Sequence, residues 1–258
     1  MPSTKKSKSI RLRENHMSES ASDISKHVAL GNASQVGARK IGAEKVKVVV
    51  VDNVFDEINF LHDYTSRSAV FQTRKANAYP GAQARMIKDF GEVFLDYALA
   101  LIANNYPETT SLQCKPLAAF FSYVSTPEKE LEYRQTIPHY DHTSSNSFAV
   151  MLYMAPGDFS GTGFFKHDGT SFETISANRE KEFWQYLEKH DNSDLSNPKY
   201  CVGNNAGFSM IDSVDYQQNR MLIYPGNLLH SGLIDESRDI HAETIDSRLT
   251  ANLFLTYE

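Results

Sequence analysis

The hexapeptide IPHYDH (residues 137–142) places two histidines, a tyrosine and a carboxylate side by side. In an extended segment, residues two apart point to the same side, so His139 and Asp141 can face one point while Tyr140 turns away. An imidazole and a carboxylate on one side of a strand can both ligate a metal ion. A His-x-Asp pair recurs by chance in many chains, and an open catalytic site generally needs three protein ligands. The pair therefore predicts a metal site only if a third ligand comes from elsewhere in the chain.

His230 is the best candidate for that third ligand. It follows NRMLIYPGNLL, which is typical of a strand, a Pro-Gly turn and an apolar pair, so it lies on a well-defined element. Most other histidines lie in the polar N-terminal segment, among charged residues of predicted helices, or in an acidic stretch: His16, His27, His62, His190 and His241. Two histidines and a carboxylate on one face form the facial triad of non-haem Fe(II) oxygenases, which leaves coordination positions open for a cosubstrate and O₂. Hydrolytic zinc sites can use the same three ligands, so the triad alone does not decide the chemistry.

Arg248 adds a second chemical signal. It opens the apolar stretch RLTANLFL, where a guanidinium is costly unless an anion lies beside it. Its planar fork matches a carboxylate, and an enzyme that uses 2-oxoglutarate needs a cation for the far carboxylate of that keto acid. The alternative is that Arg248 pairs with a structural acid such as Asp246.

The elements that must position these residues change in type along the chain. Apolar residues spaced three and four apart predict helices in the first half and one more later, at residues 56–68, 84–104 and 178–191. Short apolar or aromatic runs bounded by turn residues predict strands at residues 46–52, 117–125, 147–155, 161–167, 207–214, 219–225 and 247–257. Helices followed by many strands favour an α+β protein with an antiparallel sandwich or barrel.

Bulk properties narrow the class of protein. The net charge of −6 argues against a generic nucleic-acid binder, and the apolar runs are too short to span a membrane. Two cysteines without a CxxC pair fit a reduced, cytoplasmic setting. Residues 1–44 are polar and predict a disordered tail, which leaves residues 45–258 as one domain.

Five motifs in order resemble those of the Fe(II)/2-oxoglutarate-dependent dioxygenases, and the resemblance extends from about residue 48 to 257. They are PHYD, AVMLYM, GTGFFKH, NRMLIYPGNLLHSG and RLTANLFL, preceded by YPGAQAR. Within that superfamily the chain is most similar to the prolyl-4-hydroxylase-like group, and more narrowly to an uncharacterised bacterial family.

The resemblance implies a double-stranded β-helix, or jelly roll, with supporting helices. It implies iron ligands at His139, Asp141 and His230. It also implies that Arg248 binds the distal carboxylate of 2-oxoglutarate and that the Tyr153 hydroxyl binds the same group. In many relatives the basic residue follows the second histidine by about ten positions, where this chain has Arg238 instead. Arg248 is preferred because its surroundings are strand-like, while those of Arg238 are polar and loop-like.

The sequence thus predicts an oxygenase that uses Fe(II), 2-oxoglutarate and O₂ to hydroxylate an aliphatic C–H. An intact Asp141 favours hydroxylation over halogenation, because the halogenases of the superfamily replace this ligand by a small residue. The expected substrate is a small metabolite or amino-acid-like molecule, with no nucleic-acid or membrane partner. The alternatives are a cupin-type metalloenzyme or a metal-binding jelly-roll module, neither of which uses 2-oxoglutarate.

Overall fold

A computed structural model describes residues 24–73, 79–190, 196–204, 207–241 and 246–258. Within these residues the helices are α1 (Ile58–Ser68), α2 (Lys88–Asn105), α3 (Ala177–His190) and the short α4 (Glu236–Asp239). The strands are β1 (Gln35–Ile41), β2 (Val46–Asp52), β3 (Gln72–Thr73), β4 (Gly81–Arg85), β5 (Cys114–Val124), β6 (Ser147–Tyr153), β7 (Thr162–His167), β8 (Phe208–Val214), β9 (Met221–Pro225), β10 (His230–Gly232) and β11 (Leu249–Tyr257).

The strands form one large and one small antiparallel sheet. The large sheet has the order β1-β2-β9-β6-β11-β5-β4-β3, and the small sheet has the order β10-β7-β8. His139 extends the small sheet, because it pairs with His230 at the edge of β10. From β5 onwards the chain therefore passes repeatedly from one sheet to the other, and residues of both sheets line one cavity. This is the double-stranded β-helix that the sequence predicted.

Strand β11 shows how the large sheet separates a dry core from a polar cavity. Leu249, Ala251, Leu253 and Leu255 point to one face and are buried with α1 and α2 in the main apolar core. Thr250, Asn252 and Phe254 point to the other face and line the cavity. The alternation follows from the period of two in a β-strand. Helices α1 and α2 thus cover the outer face of the large sheet, and its inner face is left for the site.

The β1–β2 hairpin is tied to the loop between β7 and α3. Glu173 is buried, and its two carboxylate oxygens accept hydrogen bonds from the backbone N–H groups of Ala43 and Glu44, each at 2.8 Å. Gly42 has φ +64°, and a Cβ at this position would lie 2.1 Å from a Glu173 oxygen. Glycine is therefore required there both by the turn and by the close approach of the carboxylate.

The predicted helices and strands are confirmed, with shifts at their ends, and the predicted residue 191 lies outside the described part of the chain. Helix α2 begins later than predicted, because β4 takes up the residues before it. The predicted tail of residues 1–44 is also too long, since β1 pairs along its whole length with β2. Six of the seven β1 residues are exposed, so no apolar alternation marked the strand. Residues 1–23 of the predicted tail lie outside the described residues.

Candidate active site

The structure brings His139, Asp141 and His230 together. One ligand atom from each lies within 4.8 Å of the other two. The carboxylate of Asp141 lies between the rings, with Oδ1 at 3.8 Å from His139 Nε2 and Oδ2 at 3.5 Å from His230 Nε2. Two imidazoles and one carboxylate converge as a facial triad requires, and this donor set suits ferrous iron.

Backbone pairing fixes the three side chains. His139 and His230 exchange two backbone hydrogen bonds of 2.9 Å, and Asp141 N–H donates to the carbonyl of Gly226 at 2.7 Å. The Nδ1–H of His230 donates to the Leu228 carbonyl at 2.8 Å. Because that carbonyl can only accept, the Nε2 lone pair of His230 is left for a metal ion.

The electrostatics of the three groups favour a bound cation. Burial lowers the pKa of His230 to about 4. Burial and the neighbouring His230 also lower the pKa of His139 to about 4, against an opposing effect of Asp141. The His139 side chain is 54% exposed, whereas that of His230 is 7% exposed. Burial is therefore the stronger cause of the lowered pKa at His230. Burial raises the pKa of Asp141 to about 6, and a metal ion beside it would favour the charged carboxylate.

Arg248 lies in the same cavity, one residue before β11, and is only 3% exposed. Its Nε donates to the Ser160 carbonyl at 2.6 Å and one terminal nitrogen approaches the Gly161 carbonyl at 3.4 Å. Within the described part of the chain, neither Asp246 nor any other acid forms an ion pair with it. Arg248 is therefore a buried cation held by neutral groups, with donors left for an anion in the cavity.

Tyr153 lies against Arg248 but does not line the cavity. The Arg248 guanidinium carbon is 5.1 Å from the Tyr153 ring centre, and the Tyr153 hydroxyl hydrogen-bonds Thr162 Oγ1 at 2.7 Å. Tyr224 does line the cavity, with its ring 4.8 Å from that of His230. Among the residues that the structure describes, none hydrogen-bonds to the Tyr224 hydroxyl. The sequence predicted Tyr153, and the structure adds Tyr224 as a further candidate.

A strip of polar side chains on β5 and β11 also lines the cavity and was not predicted from the sequence. Asn252 Nδ2 donates to Ser122 Oγ at 2.9 Å and to Thr250 Oγ1 at 3.0 Å. The side-chain oxygen Oδ1 of Asn252 is therefore left for a ligand. All three residues line the cavity. A signal existed in the sequence, since Thr250 and Asn252 follow Arg248 at steps of two and so share its face.

Other candidates lie outside the site or serve local structure. Arg238, on α4, donates to Ser160 Oγ at 2.7 Å, approaches an Asp158 carboxylate oxygen at 3.9 Å, and does not line the cavity. His142 accepts hydrogen bonds from Ser144 N–H and from the Ser147 hydroxyl, so its ring stabilises its own loop.

The cavity has a volume of about 470 Å³ and holds both the triad and Arg248. Half-buried apolar side chains form part of its wall, with the Phe120 and Phe254 rings stacked at 5.7 Å. Arg134 and Trp184 line it on another side. The space is sufficient for a dicarboxylic acid together with a second small molecule.

Within the described ranges, no helix is both long enough and apolar enough to cross a lipid bilayer.

Comparison with known proteins gives a family and several distant structural similarities. HygX from Streptomyces hygroscopicus, crystallised with nickel and 2-oxoglutarate, is 12% identical, with 83% of this chain and 84% of that chain covered and a TM-score of 0.48. SnoN, a non-heme alpha-ketoglutarate-dependent epimerase from nogalamycin biosynthesis, is 10% identical, with 81% and 78% covered and a TM-score of 0.44. An N-substituted L-amino acid dioxygenase from Burkholderia ambifaria, in complex with alpha-ketoglutarate, is 13% identical, with 82% of each chain covered and a TM-score of 0.33.

These similarities are distant and leave the chemistry of this chain to be decided from its own residues. A search of proteins with curated functions finds no match. The model of one family matches residues 32–255, which is most of the chain. The chain therefore belongs to the family of unknown function DUF6445.

Proposed function

We propose that the protein is a Fe(II)- and 2-oxoglutarate-dependent oxygenase that hydroxylates an aliphatic C–H of a small molecule. The observation that carries the proposal is the pairing, in one cavity, of a His₂Asp triad with a buried arginine that no acid among the described residues neutralises. A zinc hydrolase or a cupin-type enzyme needs the triad but has no use for a buried, unpaired cation beside it. The distant similarities to enzymes crystallised with 2-oxoglutarate agree with this choice, while the narrower likeness to the prolyl-4-hydroxylase-like group stays a prediction.

His139, Asp141 and His230 would hold the metal at the wall of the cavity, where a cosubstrate could reach it. Ferrous iron, when bound with 2-oxoglutarate and O₂, supplies the oxidation that turns C–H into C–OH while the keto acid becomes succinate and CO₂. Asp141 fills the position that a halide would need, so hydroxylation is the favoured outcome.

Arg248 would hold the distal carboxylate of 2-oxoglutarate by charge-assisted hydrogen bonds. Tyr224 lines the same cavity, and its hydroxyl would donate a further hydrogen bond. Tyr153 would act on the cosubstrate through Arg248, because its ring packs against the guanidinium and its hydroxyl is already bonded to Thr162. This assignment replaces Tyr153 by Tyr224 as the direct second donor.

Iron binding by single-ligand variants tests the metal centre. We expect the wild type to retain one Fe(II) per chain in anaerobic equilibrium dialysis and His139→Ala, Asp141→Ala and His230→Ala each to lose it, since two ligands hold iron weakly. His142→Ala is the matched control, because His142 adjoins the triad but serves its own loop. Undiminished iron binding in any triad variant removes that residue from the centre.

Turnover tests the use of the keto acid. With Fe(II), ascorbate and 2-oxoglutarate under air, succinate formation is expected to rise when a substrate is added from a panel of small acids and amines. Iron binding without any binding of 2-oxoglutarate would instead support a cupin-type enzyme or a metal-binding module.

A further inference from the structure

Arg134 is an exposed arginine on the wall of the cavity, at the short helical turn of residues 133–135. Its guanidinium carbon lies 4.6 Å from the centre of the Trp184 ring. In the ranges that the structure describes, Arg134 makes no ion pair with any carboxylate. A cation stacked on an indole keeps its orientation without using its N–H donors, so these stay available for a ligand.

The Trp184 ring serves as a platform for Arg134, and this platform is itself fixed to the segment that carries His139 and Asp141. Trp184 Nε1–H donates to the Tyr140 hydroxyl at 2.9 Å, and that hydroxyl donates to the Glu180 carboxylate at 2.7 Å. Tyr140 lies between His139 and Asp141 in the chain, and its side chain turns away from them, as the period of a strand predicts. Its hydroxyl is therefore free to bind α3. It holds α3, and with α3 the Trp184 ring, at a set position relative to the triad.

The charges in the cavity leave Arg134 without a counter-ion. Of the described residues that line the cavity, Asp141 is the only acid, while Arg134 and Arg248 are both cations. In the proposed enzyme the charges of ferrous iron and 2-oxoglutarate balance each other, and those of Asp141 and Arg248 do the same. Glu180 lies on the same helix as Trp184, but its carboxylate accepts a hydrogen bond from the Tyr140 hydroxyl and forms no ion pair with Arg134.

We infer that the substrate carries a carboxylate, which Arg134 binds from the Trp184 platform, and an apolar body that lies against the cavity wall. This inference rests on the proposed function for the position of the reacting C–H. The apolar body follows from Met151 and the stacked Phe120 and Phe254, which line the same cavity. The carboxylate would therefore set which molecules bind, and the distance from Arg134 to the metal would set which carbon is presented.

Trp184 supplies a direct assay, because it is the only tryptophan of the chain. The protein is loaded with Mn(II) and 2-oxoglutarate under argon, so that binding occurs without turnover, and its tryptophan emission is titrated. The probes are apolar L-amino acids, their N-acetyl forms, hexanoate and octanoate, each paired with the amide that lacks only the negative charge. The same titrations are run on the metal-free protein.

We expect at least one acid to change the emission and to bind about tenfold or more tightly than its amide, as a charge-assisted pair outweighs a neutral one. Arg134→Gln should remove this preference, and Arg134→Lys should keep part of it, because an ammonium keeps the charge without the fork. Arg67→Gln is the matched control: this exposed arginine of α1 lies outside the cavity lining and should leave the titration unchanged.

The inference is overturned if no acid is preferred over its amide, or if the preference survives in Arg134→Gln. Failure of the proposed function looks different, since Mn(II) or 2-oxoglutarate would then not bind at all. In that case the titrations of the metal-free protein still decide whether Arg134 selects a carboxylate.

Discussion

A buried guanidinium without a neighbouring carboxylate costs folding free energy, because the charge loses its hydration and gains only dipoles in return. Arg248 carries this cost, with two backbone carbonyls and the faces of Tyr153 and Tyr216 as its surroundings. A dianion that enters the cavity would relieve it. The residue is therefore poorly suited to stability alone and well suited to holding an anionic cosubstrate.

We expect Arg248→Ala to raise the dissociation constant for 2-oxoglutarate by about two orders of magnitude or more. Removing one partner of a shielded charge pair typically costs about 2–5 kcal/mol, and each 1.4 kcal/mol is about tenfold. Calorimetric titration of the Mn(II)-loaded protein measures the change. Tyr224→Phe should cost about tenfold through one hydrogen bond to a charged group, and Tyr153→Phe less.

Arg238→Ala supplies the control for that titration, since Arg238 lies outside the cavity and approaches Asp158. It should bind 2-oxoglutarate like the wild type. If Arg238→Ala weakens binding while Arg248→Ala does not, the two arginines have been assigned in the wrong order.

At the scale of elements, the hairpin of β1 and β2 depends on one buried carboxylate. Glu173→Ala would leave the backbone N–H groups of Ala43 and Glu44 without their acceptor. We expect the free energy of unfolding to fall by about 2 kcal/mol, because each buried donor left unsatisfied costs about 1–3 kcal/mol and water reaches Ala43 and Glu44 in part. Urea denaturation followed by circular dichroism measures this.

Glu92→Ala is the comparison for Glu173→Ala. Glu92 forms an exposed ion pair with Lys88 at 3.7 Å, and such pairs contribute little. Its loss should change the free energy of unfolding by less than about 0.5 kcal/mol. Equal effects of the two substitutions would show that the Glu173 contacts do not hold the hairpin.

The sequence predicted elements where packing imposes a period, and failed where it does not. Helix α2 and strand β11 were found because their apolar residues face a core. Strand β1 is exposed, and β3 and β10 are too short to show a pattern. The three metal-binding candidates were found through residue type and spacing.

Strand pattern also could not single out the tyrosine that lines the cavity. Six of the seven residues of β6 and all of β9 are buried, so neither strand alternates in polarity. Without alternation, the sequence cannot tell which face a side chain takes. Both Tyr153 and Tyr224 prove to lie on the inner face, and only the pairing of the strands shows that Tyr224 lines the cavity.

At the scale of the whole molecule, ligands should stabilise the fold in a fixed order. Binding at one hundred times the dissociation constant adds about 2.7 kcal/mol, which corresponds to a rise in unfolding temperature of roughly 5–10 °C for a domain of this size. We expect Mn(II) alone and then 2-oxoglutarate to raise the unfolding temperature stepwise in a thermal-shift assay. Arg248→Ala should keep the first step and lose the second, while Asp141→Ala should lose both. A 2-oxoglutarate step in Asp141→Ala as large as in the wild type would contradict this order.

The pairing of His139 with His230 has a consequence for the order of folding. Strands β6 to β9 and helix α3 separate the two residues along the chain, yet they share two backbone hydrogen bonds. Contacts of such long range form late, because the loop between them must close first. A growing chain that has not yet reached β10 offers only His139 and Asp141, and Arg248 is synthesised later still. The site is therefore complete only when the last strand has docked, and iron uptake should mark the end of folding, not its beginning.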